Sequence, residues 1–212
     1  MLTVKHFTFN PFSENTYILY NQHKECMIID PGCSNHHEKQ ALTEFIKAEQ
    51  LQPTAIFLTH SHIDHVFGLR YVKSTYNIPI IGHSLTNKGL QLTETVGKLY
   101  GLSVETPPEI DTVVDEGDEI SLGATVFRIL FCPGHAPDHL VLYSADEGLA
   151  MVGDVIFKES IGRTDLPGGN YETLMNSIHQ KLLILPSNTI LYPGHGPETT
   201  IKEEITNNPF LK

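Results

Sequence analysis

The stretch Thr59-His60-Ser61-His62-Ile63-Asp64-His65 places three histidines and an aspartate between positions 60 and 65. Imidazole nitrogens and carboxylate oxygens are ligands for zinc and its neighbours. His60 and His62, two apart, can face one ion if the chain leaves a strand in a tight loop. Asp64 and His65 fall beyond them around the turn, within reach of a second ion. A loop this short cannot easily saturate one ion with four donors, so the spacing predicts two adjacent metals. A polar turn that is merely histidine-rich is the competing explanation, and the rest of the chain argues against it.

Working outward, three more polar residues end strand-like runs, each beside glycine or proline. His135 lies in Cys132-Pro133-Gly134-His135 after the run 125–131, and Asp154 in Val152-Gly153-Asp154 after 149–152. His195 lies in Tyr192-Pro193-Gly194-His195 after 189–192. Strand ends that meet at one sheet edge can build a site from distant sequence, and the glycines permit tight turns there. The ligand count then closes. His60, His62 and His135 can hold one metal, and Asp64, His65 and His195 the other, with Asp154 bridging them. Each ion keeps room for a shared water, as catalytic sites require. Two cations about 3.5–4 Å apart should lower its pKa enough to give hydroxide near neutrality.

The composition is that of an ordinary globular protein. Of 212 residues 40% are hydrophobic and 18% charged, so a substantial core is affordable and one domain over 1–212 is expected. The formal charge of -11 argues against nucleic acid as a partner. No apolar run approaches the roughly 20 residues of a membrane span, and the N-terminus alternates like a strand rather than a signal peptide. Three cysteines (Cys26, Cys33, Cys132) without a Cys-x-x-Cys pattern indicate neither a disulfide framework nor a zinc ribbon. A cytoplasmic protein is expected, monomeric or a small homo-oligomer, acting on a small molecule.

Strands are predicted at 2–9, 15–20, 25–29, 54–58, 78–81, 119–122, 125–131, 140–144, 149–152 and 189–192. Helices are predicted at 35–49, 64–76, 84–100, 171–183 and 198–207. Strands in two blocks, each with helices attached, fit two sheets packed face to face with helices outside. The fold class is therefore α/β (α+β) rather than a doubly wound parallel sheet.

The set His-x-His-x-Asp-His (60–65), Pro-Gly-His (133–135), Gly-Asp (153–154) and Gly-His (194–195) resembles that of the metallo-β-lactamase-fold hydrolases. Gly153-Asp154 through Ser160-Ile161-Gly162-Arg163-Thr164-Asp165 is similar to the glyoxalase II group and its short bacterial relatives. The resemblance implies a four-layer αββα sandwich, two divalent metal ions (zinc, with iron or manganese also seen) and hydrolysis of thioesters. It points to Asp64 and Asp154 as catalytic carboxylates and to Arg163 near the position where glyoxalase II grips its thiol carrier. The alternative for Arg163 is a salt bridge fixing its loop. Two departures weigh against glutathione. Only Gly196 to Lys212 follow the last histidine, where glyoxalase II has a helical domain, and Asp165 and Pro197 stand where that family has tyrosines.

The leaving group favours a thioester. A thiolate, with a solution pKa of about 8.5, departs with little help from an acid, whereas a lactam amine must be protonated. The lactamases also typically lack a bridging aspartate. A persulfide dioxygenase of the same fold, binding one iron through His60, His135 and Asp154, is the alternative reaction class. A lactonase or another ester hydrolase is less favoured, and so is a non-enzymatic metal-binding or RNA-associated module. Asp30 is expected to order its turn or orient a ligand histidine. His139 is a candidate to support the ligands, His83 to face the entrance, and Phe157, Leu166 and Tyr171 to wall the cleft. His36 and His37 read as a solvated helix start.

Overall fold

The computed structural model describes residues 2–212. In its first half run β1 (Thr3–Phe9), β2 (Glu14–Tyr20), β3 (Glu25–Ile29), α1 (His36–Ala48), β4 (Gln52–Phe57), α2 (Ile63–Val66), α3 (Leu69–Tyr76), β5 (Ile80–Gly82), α4 (Thr86–Leu99) and β6 (Thr112–Val113). The second half contains β7 (Glu119–Leu122), β8 (Thr125–Phe131), β9 (Leu140–Ser144), β10 (Leu149–Gly153) and the short hairpin β11 (Ile156–Phe157) and β12 (Ser160–Ile161). Then follow α5 (Tyr171–Ser177), a π-helical turn (Ile178–Leu182), β13 (Ile190–Pro193), β14 (Thr199–Thr200), α6 (Ile201–Asn207) and a final 3-10 turn (Pro209–Leu211).

One sheet has the order β1-β2-β3-β4-β5-β6, and the other β14-β13-β10-β9-β8-β7. In the first, β1 to β3 are antiparallel, and β3 to β6 run parallel. The second is antiparallel except where β10 meets β13.

Period-two side-chain alternation decides the layering. Along β4 and its exit, Ala55 and Phe57 face the second sheet while Ile56 and Leu58 face the helices. Met27 and Ile29 likewise point inward to Phe127, Ile129, Leu140 and Leu142, and Ile28 points outward to Leu42 and Ile46 of α1 and Leu69 and Val72 of α3. On the far side Val141, Ala150, Val152 and Leu191 pack under Leu174 of α5, Ile178, Leu182 and Ile201 of α6. Three apolar layers between four structural ones make the αββα sandwich.

The sequence-based elements are present, and several boundaries shift: β4 begins at Gln52 rather than at 54, and α4 at Thr86 rather than at 84. The helix expected over 64–76 breaks at Phe67-Gly68, where the Gly68 N–H bonds the Pro31 carbonyl (2.7 Å) outside the helix. The helix expected over 171–183 widens into the π-turn after Ser177, and that expected over 198–207 starts at Ile201, with Thr200 as its cap. The strand expected from Ile78 begins at Ile80. The two-residue strands β6, β11, β12 and β14 are too short to carry an alternation signal. No helix among the described residues is long and apolar enough to cross a membrane.

Candidate metal centre

The seven sequence-flagged ligands meet at one edge of the sandwich. His60 and His62 follow the end of β4, His62 in extended backbone at the N-cap position of α2 without a side-chain cap bond, and Asp64 and His65 lie in its single turn. His135 follows β8, Asp154 directly follows β10, and His195 follows β13. Within each of two groups, His60/His62/His135 and Asp64/His65/His195, one ligand atom per residue lies within 4.8 Å of the others.

Asp154 stands between the groups. Its Oδ1 is 3.4 Å from His65 Nε2, and its Oδ2 is 3.4 Å from His135 Nε2 and 3.5 Å from His195 Nε2. Asp64 Oδ2 is 3.2 Å from His195 Nε2 and 3.6 Å from His65 Nε2. A tetrahedral ion with donors at about 2.05 Å keeps neighbouring donors about 3.3 Å apart. The observed separations are those of atoms sharing an ion. The Nε2 atoms of His60, His65 and His135 and Oδ1 of Asp154 are buried without a hydrogen-bond partner among the described residues. Buried polar atoms are rarely left so, and divalent cations satisfy all four at once. The donor set thus fits two ions.

The other ring nitrogens are engaged, which turns each Nε2 inward. His65 Nδ1 is 3.0 Å from Asp30 Oδ2, His60 Nδ1 3.0 Å from the Thr59 hydroxyl, His135 Nδ1 2.8 Å from the Arg163 carbonyl, and His195 Nδ1 3.2 Å from the Ser13 carbonyl. Asp30 also accepts from the Thr59 N–H (2.7 Å) and hydroxyl (2.5 Å), so it both orders the turn and orients a ligand. Its φ is 47°. His139 lies beneath the site: its Nε2 accepts the Asp154 N–H (3.0 Å) and its ring stacks on His60 at 4.7 Å.

Burial dominates the electrostatics of the metal-free centre. It lowers the pKa values of His60 and His135 and brings His62 down to about 4. For His65 and His195 burial also works downward but is overcome by Asp154 and Asp64. His65 lies well above its ordinary value and His195 at about 9. Burial would raise Asp154 and Asp64, yet His65 above all holds both below the usual carboxylate range.

Two glycines make the Pro-Gly-His turns possible, for different reasons. Gly134, at φ 134°, lies so close to Leu174 that a Cβ would run into the Leu174 backbone at the start of α5. A Cβ on Gly194 would displace Asp154 Oδ1 and come within 2.6 Å of His65 Cε1.

A cavity of about 380 Å³ covers the ligands, with Phe157, Leu166 and Arg163 in its wall. A second, of about 430 Å³, lies beneath α4 and shares His62, Ile63, Val96, Tyr100 and Leu166 with the first. The Arg163 guanidinium makes a two-pronged ion pair with Asp165, Nε and Nη2 each 2.7 Å from a carboxylate oxygen, at the exposed rim. Tyr171 is half exposed on α5, and His36 and His37 are both exposed at the start of α1. His83 is buried against Phe131 (ring centroids 4.5 Å apart) and lines neither cavity. The carbonyls of Ser13 and Arg163 were beyond sequence reasoning, since every residue has one. Asp138, buried in the wall of the second cavity, was legible only as an unassigned acid three residues after His135.

Residues 9–195 match the family described as the metallo-beta-lactamase superfamily. The probable metallo-hydrolase YqgX of Bacillus subtilis (strain 168) is 40% identical over 95% of this chain and 93% of its own length. The hydroxyacylglutathione hydrolase GloC of Haemophilus influenzae is 36% identical over 94% of this chain and 93% of its own. Among solved structures, the BLEG-1 B3 metallo-beta-lactamase superposes with a TM-score of 0.92 at 38% identity, covering 99% of this chain and 100% of that one. TTHA1623 in a di-iron-bound form gives 0.88 at 34% identity, covering 98% and 100%.

Proposed function

The chain belongs to the metallo-beta-lactamase superfamily, and from that premise we propose that it is a dinuclear metal-dependent hydrolase of thioesters, of the glyoxalase II type. The observation that carries the reading is the position of Asp154 between two complete donor sets, with its Oδ1 and three histidine Nε2 atoms buried and unpartnered. Bound divalent ions supply Lewis acidity there: a water that ionises near neutrality and a positive field for the carbonyl oxygen.

The protein's own contribution is position and charge. His60, His62 and His135 would hold one ion, and Asp64, His65 and His195 the other, with Asp154 common to both. Asp64 and Asp154 are the catalytic carboxylates, kept ionised by His65 and His195 despite their burial. They fix where the nucleophilic water stands relative to a carbonyl in the 380 Å³ cavity. Beyond the ligands, that cavity offers Tyr100, Ser160 and Arg163 as its polar side chains. None is a carboxylic acid or imidazole free to protonate a leaving amine. This supports a thiolate leaving group over the β-lactam that BLEG-1's name suggests. Arg163, at the rim, keeps N–H groups beyond those paired with Asp165 and would hold a carboxylate of the thiol carrier.

Zinc is the expected metal, with iron the alternative that TTHA1623 illustrates. The test is metal analysis of protein purified without added metal, paired with assays on S-lactoylglutathione, smaller acyl thioesters and a chromogenic cephalosporin. Two equivalents of divalent metal with thioester cleavage are expected, lost with chelator and restored by metal. One iron per chain with oxygen uptake on glutathione persulfide would replace this reading with the dioxygenase. Cephalosporin turnover without thioesterase activity would replace it with a lactamase.

A further inference from the structure

The 430 Å³ cavity beneath α4 is largely apolar, with Leu85, Leu92, Val96 and Pro137 in its wall, and at its inner side lies Asp138. This carboxyl is only 1% exposed, and among the described residues neither of its oxygens has a hydrogen-bond partner. Two hydroxyls of α4 share its condition. Thr86, at the first residue of the helix and close enough to act on Asp138, and Thr93, further along the same helix, are buried with unpartnered Oγ1 atoms among the described residues. Gly89 brings this face of α4 down onto the metal loop, since a Cβ there would collide with the Ser61 side chain. Asp138 and Thr93 therefore border an apolar chamber that is continuous with the metal centre through His62 and Ile63.

We propose that this chamber receives an apolar arm of the substrate ending in a neutral hydrogen-bond donor, a hydroxyl or amide N–H, and that Asp138 accepts that donor. The assignment of the arm to a thioester rests on the hydrolytic reading above. A neutral donor is favoured over an ammonium for three reasons. Burial pushes the Asp138 carboxyl above the usual carboxylate range; Ser61 and Thr86 temper the rise without meeting it in hydrogen-bonding geometry. Lys88 lines the same chamber and repels a cation. A hydroxyl or amide also loses far less hydration than an ammonium on entering an apolar site. A pocket built around an unpaired acceptor rejects an isostere lacking the donor more strongly than an apolar pocket could.

The experiment uses metal-loaded protein and pairs of probes differing only in the donor. Pentan-1-ol is titrated against butyl methyl ether, and N-butylacetamide against its N-methylated form, following the backbone amide resonances of Thr86, Thr93 and Ala136. Saturable shifts are expected with at least one donor probe binding fivefold or more tighter than its isostere. The two pairs tell hydroxyl from amide. Asp138→Leu should abolish the preference, and Asp138→Asn, which retains an acceptor, should keep it within about threefold. Equal binding of donor and isostere, no saturable shift, or a preference unchanged in Asp138→Leu would overturn the proposal. So would loss of preference in Asp138→Asn as complete as in Asp138→Leu, which would mark recognition of charge. If the leucine variant does not fold, the wild-type comparison still decides. Because these readouts need no turnover, failure to cleave any thioester would sink the thioesterase reading without touching this one.

Discussion

In the proposed two-ion centre Asp154 serves both ligand sets, so its loss should not resemble the loss of a peripheral ligand. Asp154→Ala is expected to lower kcat by at least about a thousandfold and to release metal from both positions. Near-native turnover with full metal content, read by elemental analysis, would refute the bridge. Asp30 fixes the His65 ring and the Thr59 turn together. Asp30→Asn should weaken metal binding about 10–100-fold, measured by competition with a chelating dye. The lowered histidines set a pH dependence in metal-stripped protein. His62 binds its proton at about 4 in the folded chain and at about 6.5 when unfolded. Between these values the unfolded state holds more protons, so acidification from pH 6.5 towards 4 destabilises the fold. The contribution is about 1.4 kcal/mol per pH unit per such group. His195, raised to about 9, contributes stability that is present below pH 6.5 and lost as pH rises through 9. Glu14, buried and raised, opposes the acid effect. The test is therefore a comparison: His62→Gln should have a shallower loss of denaturation midpoint between pH 6.5 and 4 than the parent.

Several elements act on the centre without contributing a ligand. The hairpin of β11 and β12 leads into Gly162 and Arg163, whose carbonyl orients His135. That hairpin is anchored from α6. Glu204, fully buried, accepts from the Glu159 N–H (2.9 Å), Thr199 Oγ1 (2.6 Å) and Asn208 Nδ2 (2.8 Å), and Asn208 also bonds the Ser160 carbonyl (2.9 Å). Glu204→Ala strands several buried donors and should cost about 2–4 kcal/mol. Hydrogen exchange should quicken first across residues 156–161. The start and end of α5 brace the same Pro133-Gly134-His135 turn from the other side: Asn170 N–H bonds the Gly134 carbonyl (2.7 Å) and Ser177 Oγ the Pro133 carbonyl (2.7 Å).

At the scale of the whole molecule, the site is an edge of a sandwich whose centre is the inter-sheet layer. Phe57 is fully buried there, just before the loop that carries His60 and His62. Phe57→Ala should cost about 3–5 kcal/mol, lowering the thermal midpoint by roughly 2–4 °C for each kcal/mol. The sequence by itself determined the two-sheet architecture, because alternating and apolar runs in two blocks leave few other ways to bury them. It also marked out the candidate ligands that converge at one sheet edge, because His and Asp at strand ends beside glycine are rare enough to be read as chemistry. Tertiary structure alone decided which atoms orient those ligands, since the carbonyls of Ser13 and Arg163 look like any others until the chain folds. It alone decided that Arg163 pairs with Asp165, a contact that a two-residue spacing permits without requiring. And it alone made a chamber beneath α4 with Asp138 at its wall, because a cavity belongs to the packing of distant elements and not to any segment.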